Sequence, residues 1–167
     1  ALAHGISDEC RRRGIACFGP SAELARLESS KSHARQLATT LGLPSPRHLA
    51  TSSASEAIEW WRGLHAPIVV KQDGLAGGKG VIVPVDDNET VAAINALTAL
   101  GPIVVEERLV GPECSLMAMC DGIVARPLPI VSPGVCPPPT MTATRPCKRS
   151  PIGTTLLRAR IVRRCPT

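Results

Sequence analysis

Aromatic side chains are nearly absent: the 167 residues contain Phe18, Trp60 and Trp61 and no tyrosine. So little aromatic bulk argues against one large core and fits one modest domain or two small ones. No apolar run approaches the ~20 residues of a membrane span. The opening stretch ALAHGISDECRRRG places its arginines after the apolar residues, the reverse of a secretory leader. A cytoplasmic chain without a membrane partner is the expectation. Seven cysteines stand at 10, 17, 114, 120, 136, 147 and 165, with no C-x-x-C pair and no histidine at metal-ligand spacing. That pattern predicts neither a zinc site nor a disulfide framework, and reads as reduced thiols. With 44% apolar residues and 20% charged ones, disorder throughout is excluded.

Acidic residues are missing altogether after Asp121. Residues 1–125 carry 11 basic and 14 acidic side chains, whereas 126–167 hold eight basic ones, nine of the 16 prolines and three cysteines. The net charge of +5 is therefore a property of the tail, and the body is mildly acidic. A basic tail without an aromatic residue lacks the stacking groups of nucleic-acid modules, so no nucleic-acid partner is expected.

Before the tail, helical and extended patterns alternate. LAHGISDECRRRG reads as a helix ending at Gly14, IACFG (15–19) as a short buried strand, and SAELARLE (21–28) as a helix capped by Ser21. Ser30 caps a second helix, KSHARQLATTLGL, with Gly42 near its end. Ser55 opens a third, EAIEWWRGL, and Asp87 caps a fourth over 88–100. PIVVKQ (67–72), GVIVPV (80–85), IVVEERL (103–109), CSLMAMCDG and IVARPLP read as strands, the first two forming a hairpin around a mobile loop, DGLAGGK. The body is thus α+β with an antiparallel sheet. From residue 133, the PPP cluster and the missing apolar periodicity predict no packed structure.

The glycine-rich loop is the most informative local feature, because amides free of side-chain bulk can wrap phosphate oxygens while a lysine supplies charge. It is not a Walker A loop, since Asp73 stands where the first glycine belongs and Gly80 follows Lys79. It also fails G-x-G-x-x-G at Val83, and it joins two strands where a dinucleotide site needs a strand and a helix. Lys71 ends an otherwise apolar strand, where a charge needs a partner and a bound anion would serve. Glu106 and Glu107 close the strand 103–109 and could meet an adenine edge, and Glu113, past a Gly-Pro turn, could reach ribose hydroxyls.

Three blocks, GPSAELARLESSKSHARQL, PIVVKQDGLAGGKGVIV and VVEERLVGPECSLMAMCDG, resemble in unbroken order the phosphoribosylamine–glycine ligase (glycinamide ribonucleotide synthetase) family of the ATP-grasp superfamily. The resemblance covers about residues 1–130. It implies the end of an α/β N-terminal domain over 1–29, a partial ATP-grasp domain over 30–131, and a basic Pro-rich tail over 132–167. It implies ATP-dependent ligation of glycine to 5-phosphoribosylamine through an acyl phosphate, giving glycinamide ribonucleotide, ADP and phosphate in purine biosynthesis. Lys31 and Lys71 match the lysines that hold ATP phosphates, and Gly74, Leu75, Gly77, Gly78, Lys79 and Gly80 match the loop that closes over them. Glu106 with the backbone of Glu107 and Leu109 matches the adenine contacts, and Glu113 the ribose carboxylate. Arg108 departs from the family, which usually has an aromatic there.

The family also binds Mg²⁺ through carboxylate and Asn ligands in a later half of the fold, and no acid follows Asp121 here. The chain as given is accordingly expected to be inactive. Shifting the frame within the codons of Thr140–Met141–Thr142–Ala143–Thr144 permits Asn-Asp-Gly-Asp, the start of the family's Asp-rich loop. An out-of-frame segment from about residue 132 would explain the excess of Pro, Arg and Cys and the missing acids. Two other readings remain open: a different ATP-grasp carboxylate–amine ligase, or a non-enzymatic nucleotide-binding remnant with a basic arm.

Overall fold

The structure is a computed structural model and describes residues 1–77, 80–111, 113–121, 123–129 and 155–162. It divides into two compact units, one of Ala1–Leu24 with Val110–Thr167 and the other of Ala25–Leu109. The segment 30–131 read from the sequence crosses this division after Leu109.

The second unit is built around a four-stranded antiparallel sheet, in the order β1–β4–β2–β3. Its strands are β1 (His48–Thr51), β2 (Ile68–Gln72), β3 (Val81–Ile82) and β4 (Ile103–Glu107). Side chains alternate across a strand, and residues paired directly across an antiparallel ladder share a face. The register Val70↔Val105 and Lys71↔Val104 therefore sorts β2 and β4 into two faces. One carries Ile68, Val70, Ile103 and Val105, all at most 2% exposed. Helices α4 (Ala54–Leu64) and α5 (Asp87–Thr98) cover it with Ala57, Leu64, Ala93, Ile94 and Leu97, and both tryptophans pack at its margin. The other face carries Val69, Lys71, Val104 and Glu106. Because β4 is central, its residues from Ile103 to Glu106 are all buried, and a carboxylate is thereby committed to the interior.

Helix α3 (Lys31–Thr40) starts at Ser30, whose hydroxyl accepts the His33 amide at 3.2 Å, as expected of the N-cap. Two other caps lie slightly upstream of their expected places. Ser53, and not Ser55, accepts the Glu56 amide at the start of α4. Asp86, and not Asp87, accepts the Glu89 amide at 2.7 Å at the start of α5, while the Glu89 carboxylate returns to the Val85 amide at 2.8 Å. Strand β3 is two residues long, where a run over 80–85 was expected. Pro84 has no amide to give a ladder, so pairing stops short of it. Strand β1 has no counterpart among the elements expected from the sequence.

In the first unit a 3₁₀ turn (Leu2–His4) and helix α1 (Ile6–Arg12) replace the single helix expected, with Gly5 at φ 78° between them. Gly14 does end α1: at φ 68° it gives its amide to the Arg11 carbonyl, and the Ile15 amide returns to the Cys10 carbonyl at 2.8 Å. Residues 15–19 are not a strand. No ladder is formed there, and Ile15 and Phe18 are 55% and 61% exposed. Helix α2 (Ala22–Ser29) follows and carries the chain into the second unit after Leu24, with the Ser21 hydroxyl accepting the Leu24 amide at 3.3 Å.

A second antiparallel sheet, in the order β6–β5–β7, contains β5 (Glu113–Cys120), β6 (Ala125–Pro127) and β7 (Thr155–Val162). The expectation of no packed structure from residue 133 fails for β7, which pairs with β5 from Thr155↔Cys120 to Val162↔Glu113. The eight residues TLLRARIV are rich in strand formers, and a ladder offered by β5 outweighs the basic composition around them. Residues 130–154 and 163–167, where the rest of the tail falls, lie outside the described residues.

Candidate functional site

Of the expected site residues, Lys71 and Glu106 lie on the charged face of the first-described sheet. Glu106 sits opposite Val69, two positions from Lys71 along β2, so the two form a diagonal cross-strand pair. Lys71 Nζ donates to Glu106 Oε2 at 2.6 Å. Arg35, on α3, donates from Nε to Oε1 at 2.7 Å and from Nη2 to Oε2 at 2.9 Å, a two-pronged grip on the same carboxylate. Burial alone would raise the Glu106 carboxyl above its ordinary value. The hydrogen bonds and positive charges of Arg35 and Lys71 outweigh that and hold it low. Two cations against one carboxylate leave this face a net positive charge. Arg35 is the functional candidate that sequence reasoning missed.

Lys71 thus has a protein partner, Glu106, at the position where a bound anion would also serve. The Glu106 carboxylate, expected at the adenine, is gripped by Arg35 and Lys71, and its backbone lies in the ladder between β1 and β2. The Glu107 amide donates to the Arg47 carbonyl at 2.9 Å, and its side chain accepts from Arg47 Nε at 3.0 Å. Leu109 lies just past the end of β4, half-buried.

The glycine-rich loop leaves β2 at Asp73 and returns at Gly80, closed by the Gln72 amide on the Gly80 carbonyl at 2.7 Å. Its start is fastened to the N-terminus of α3. The Asp73 carboxylate accepts the amides of Lys31 (2.6 Å), Ser32 (3.3 Å) and Gly74 (2.9 Å), together with the Ser32 hydroxyl. Partial burial acts to raise Asp73, but these donors, led by the two from Ser32, prevail and lower it. Lys31 answers from its other end, Nζ donating to the carbonyls of Gln72 (2.8 Å) and Gly74 (2.9 Å). A helix N-terminus attracts anions, and here Asp73 already fills that place. Lys31 is accordingly directed at the root of the loop.

Gly74 has φ 88°, a conformation that glycine adopts without strain. At Gly80 the backbone approaches so closely that an added Cβ would overlap Ala76 Cβ and lie 3.1 Å from Gln72 Cβ. Leu75 is 68% exposed. Gly78 and Lys79 lie outside the described residues, and Glu113 is the first residue of β5, in the other unit. Two surface clefts, of about 550 Å³ beside Trp61 and Asp86 and about 720 Å³ beside Trp60 and Arg47, are lined by none of the expected residues.

As to magnesium, the Glu106 and Asp73 carboxylates are already engaged by protein donors, and no cluster of three or more His, Cys, Asp or Glu able to hold a metal occurs among the described residues. These residues do not fit a magnesium site. No helix among them is long and apolar enough to cross a membrane.

The fold is that of the ATP-grasp class. The structure is similar to D-alanyl-alanine synthetase A from Vibrio cholerae, with a TM-score of 0.64 over 75% of this chain and 39% of that one at 17% identity, a likeness of fold alone. It is also similar to phosphoribosylamine–glycine ligase from Thermotoga maritima, with a TM-score of 0.60 and 34% identity over 68% of this chain and 31% of that one. Residues 29–133 match the family of the phosphoribosylglycinamide synthetase ATP-grasp (A) domain, and the chain belongs to that family. In sequence it is 44% identical over 127 residues to the phosphoribosylamine–glycine ligase of Streptomyces coelicolor, and 38% identical over 134 residues to the chloroplastic one of Arabidopsis thaliana. These matches cover 76% of this chain but 30% and 25% of the relatives, so it spans less than a third of their length.

Proposed function

We propose that this chain carries the nucleotide-phosphate face of an ATP-dependent ligase that joins glycine to 5-phosphoribosylamine in the cytoplasm. The observation that carries this reading is Lys71, held at 2.6 Å by Glu106 on a net positive sheet face, two residues before the glycine-rich loop. ATP supplies the phosphoryl group that turns the glycine carboxylate into an acyl phosphate. The amine of phosphoribosylamine then forms the C–N bond as phosphate leaves. Within that chemistry Lys71 neutralises phosphate charge, and Glu106 and Arg35 position its ammonium. Lys31 anchors the loop whose amides, from Gly74 through Leu75, Gly77, Gly78, Lys79 and Gly80, wrap the phosphates. The backbone of Glu107 and Leu109 meets the adenine. Mg²⁺ takes its ligands from residues other than Glu106 and Asp73.

Calorimetric titration of the chain with ATP, beside Lys71→Ala, tests the reading. A charge-assisted contact to phosphate predicts affinity lower by about 10- to 100-fold in the variant. Equal affinities, in a variant whose circular dichroism matches the parent, would remove Lys71 from the site.

A further inference from the structure

Cys10 and Cys17 take no part in the nucleotide face, yet the fold brings them to one place. Gly14 ends α1 in a left-handed turn, and the Ile15 amide folds back onto the Cys10 carbonyl at 2.8 Å. The chain therefore doubles back along the helix it has just left. Cys17 Sγ lies 3.6 Å from the hydroxyl of Ser7. Ser7 stands three residues before Cys10, hence on the same helix face. Cys17 and Cys10 are side-chain neighbours across that face. Ser7 is 1% exposed, whereas both thiols are free and only half-buried. A small reagent can reach them while the buried floor holds them in register.

We propose that Cys10 and Cys17 form a redox-modification site, a paired thiol that low-molecular-weight disulfides convert reversibly to an intrachain disulfide tying α1 to the segment after it. The Cys17 thiolate attacks one sulfur of the small disulfide, forming a mixed disulfide and expelling one thiolate. Cys10 then gives its proton to solvent and attacks the Cys17 sulfur, expelling the second thiolate. Two protein thiols lose two electrons and one small disulfide becomes two thiols. Burial and the neighbouring Cys17 push the Cys10 thiol up, which lowers its thiolate fraction. The product adds a covalent clamp to a turn otherwise held by backbone hydrogen bonds.

The reduced chain is equilibrated with mixtures of reduced and oxidised glutathione, alkylated, digested with trypsin and mapped by mass spectrometry. Arg11, Arg12 and Arg13 lie between the two cysteines, so the disulfide registers as two peptides that reduction separates. The 10–17 link is expected to exceed any pairing with Cys114, Cys120, Cys136, Cys147 or Cys165 by about tenfold or more, and to lose that preference in denaturant. Cys17→Ser should abolish the link. Glutathione retained on Cys17 without transfer to Cys10, or a link equally abundant in the unfolded chain, would overturn the proposal.

Discussion

Lys31 and Asp73 hold each other from both ends. The Lys31 amide donates to the Asp73 carboxylate at 2.6 Å, and the Lys31 ammonium reaches past it to the carbonyls on either side, Gln72 and Gly74. One helix start and one loop start are thereby a single unit, although 42 positions separate them in sequence.

Removing the carboxylate should release both. Asp73→Ala leaves the amides of Lys31 and Ser32 without their acceptor, at an expected cost of about 1–3 kcal/mol. Urea unfolding would show the loss, and hydrogen exchange should localise it to the first turn of α3 and to Gly74. Unaltered exchange at those amides would mean that water replaces the clamp without loss.

Glu106→Gln keeps the shape of the side chain and takes away the charge that Arg35 and Lys71 share. Breaking one side of a buried ion cluster predicts a loss of about 3–5 kcal/mol. Chemical denaturation of the variant measures it directly. A second substitution, Arg35→Met, should recover part of the loss, because one unpaired cation is removed with it.

Acid should act through the same groups. Glu106 and Asp73 are held below their ordinary values of 4.5 and 3.8 in the folded chain. In that range the unfolded chain binds more protons than the folded one, so stability falls as pH falls. The contribution is complete above the ordinary carboxyl range and is lost as pH drops through the lowered folded values. Urea midpoints followed from about pH 6 to 2 should decline, and less steeply in Glu106→Gln. Parallel declines in the two proteins would show that Glu106 does not contribute.

The caps offer a test of local geometry. Asp86→Ala should cost about 1 kcal/mol as the N-cap of α5. Asp87→Ala, which removes only a charge in the first turn, should cost a few tenths to about 1 kcal/mol. Thermal unfolding of the two variants ranks them, and the reverse order would move the cap to Asp87.

These cap positions illustrate what the sequence could carry. Asp86 and Asp87, or Ser53 and Ser55, are chemically equivalent neighbours, and only the entry angle of the chain decides between them. Lys71 announced itself, because a charge ending an apolar strand needs a partner, and β2 and β4 were legible in their β-branched runs. Arg35 had no such signal: its partner lies 71 positions away, and on α3 it reads as one more solvated charge. The strand expected at 15–19 had the right residues without a ladder to join, and β7 had a ladder but sat in a composition that argued against order. Pairing across long separations was the missing information in each case.

The strand order described above bears on how copies of this chain meet one another. Within the four-stranded sheet, β4 and β2 are enclosed and the open ladders belong to β1 and β3. Those run for only four and two residues, with Pro46 ahead of one and Pro84 behind the other. An intruding strand would find few amides to pair with, which is a common guard against edge-to-edge aggregation. The truncated borders thus guard this sheet against pairing with a second copy of itself.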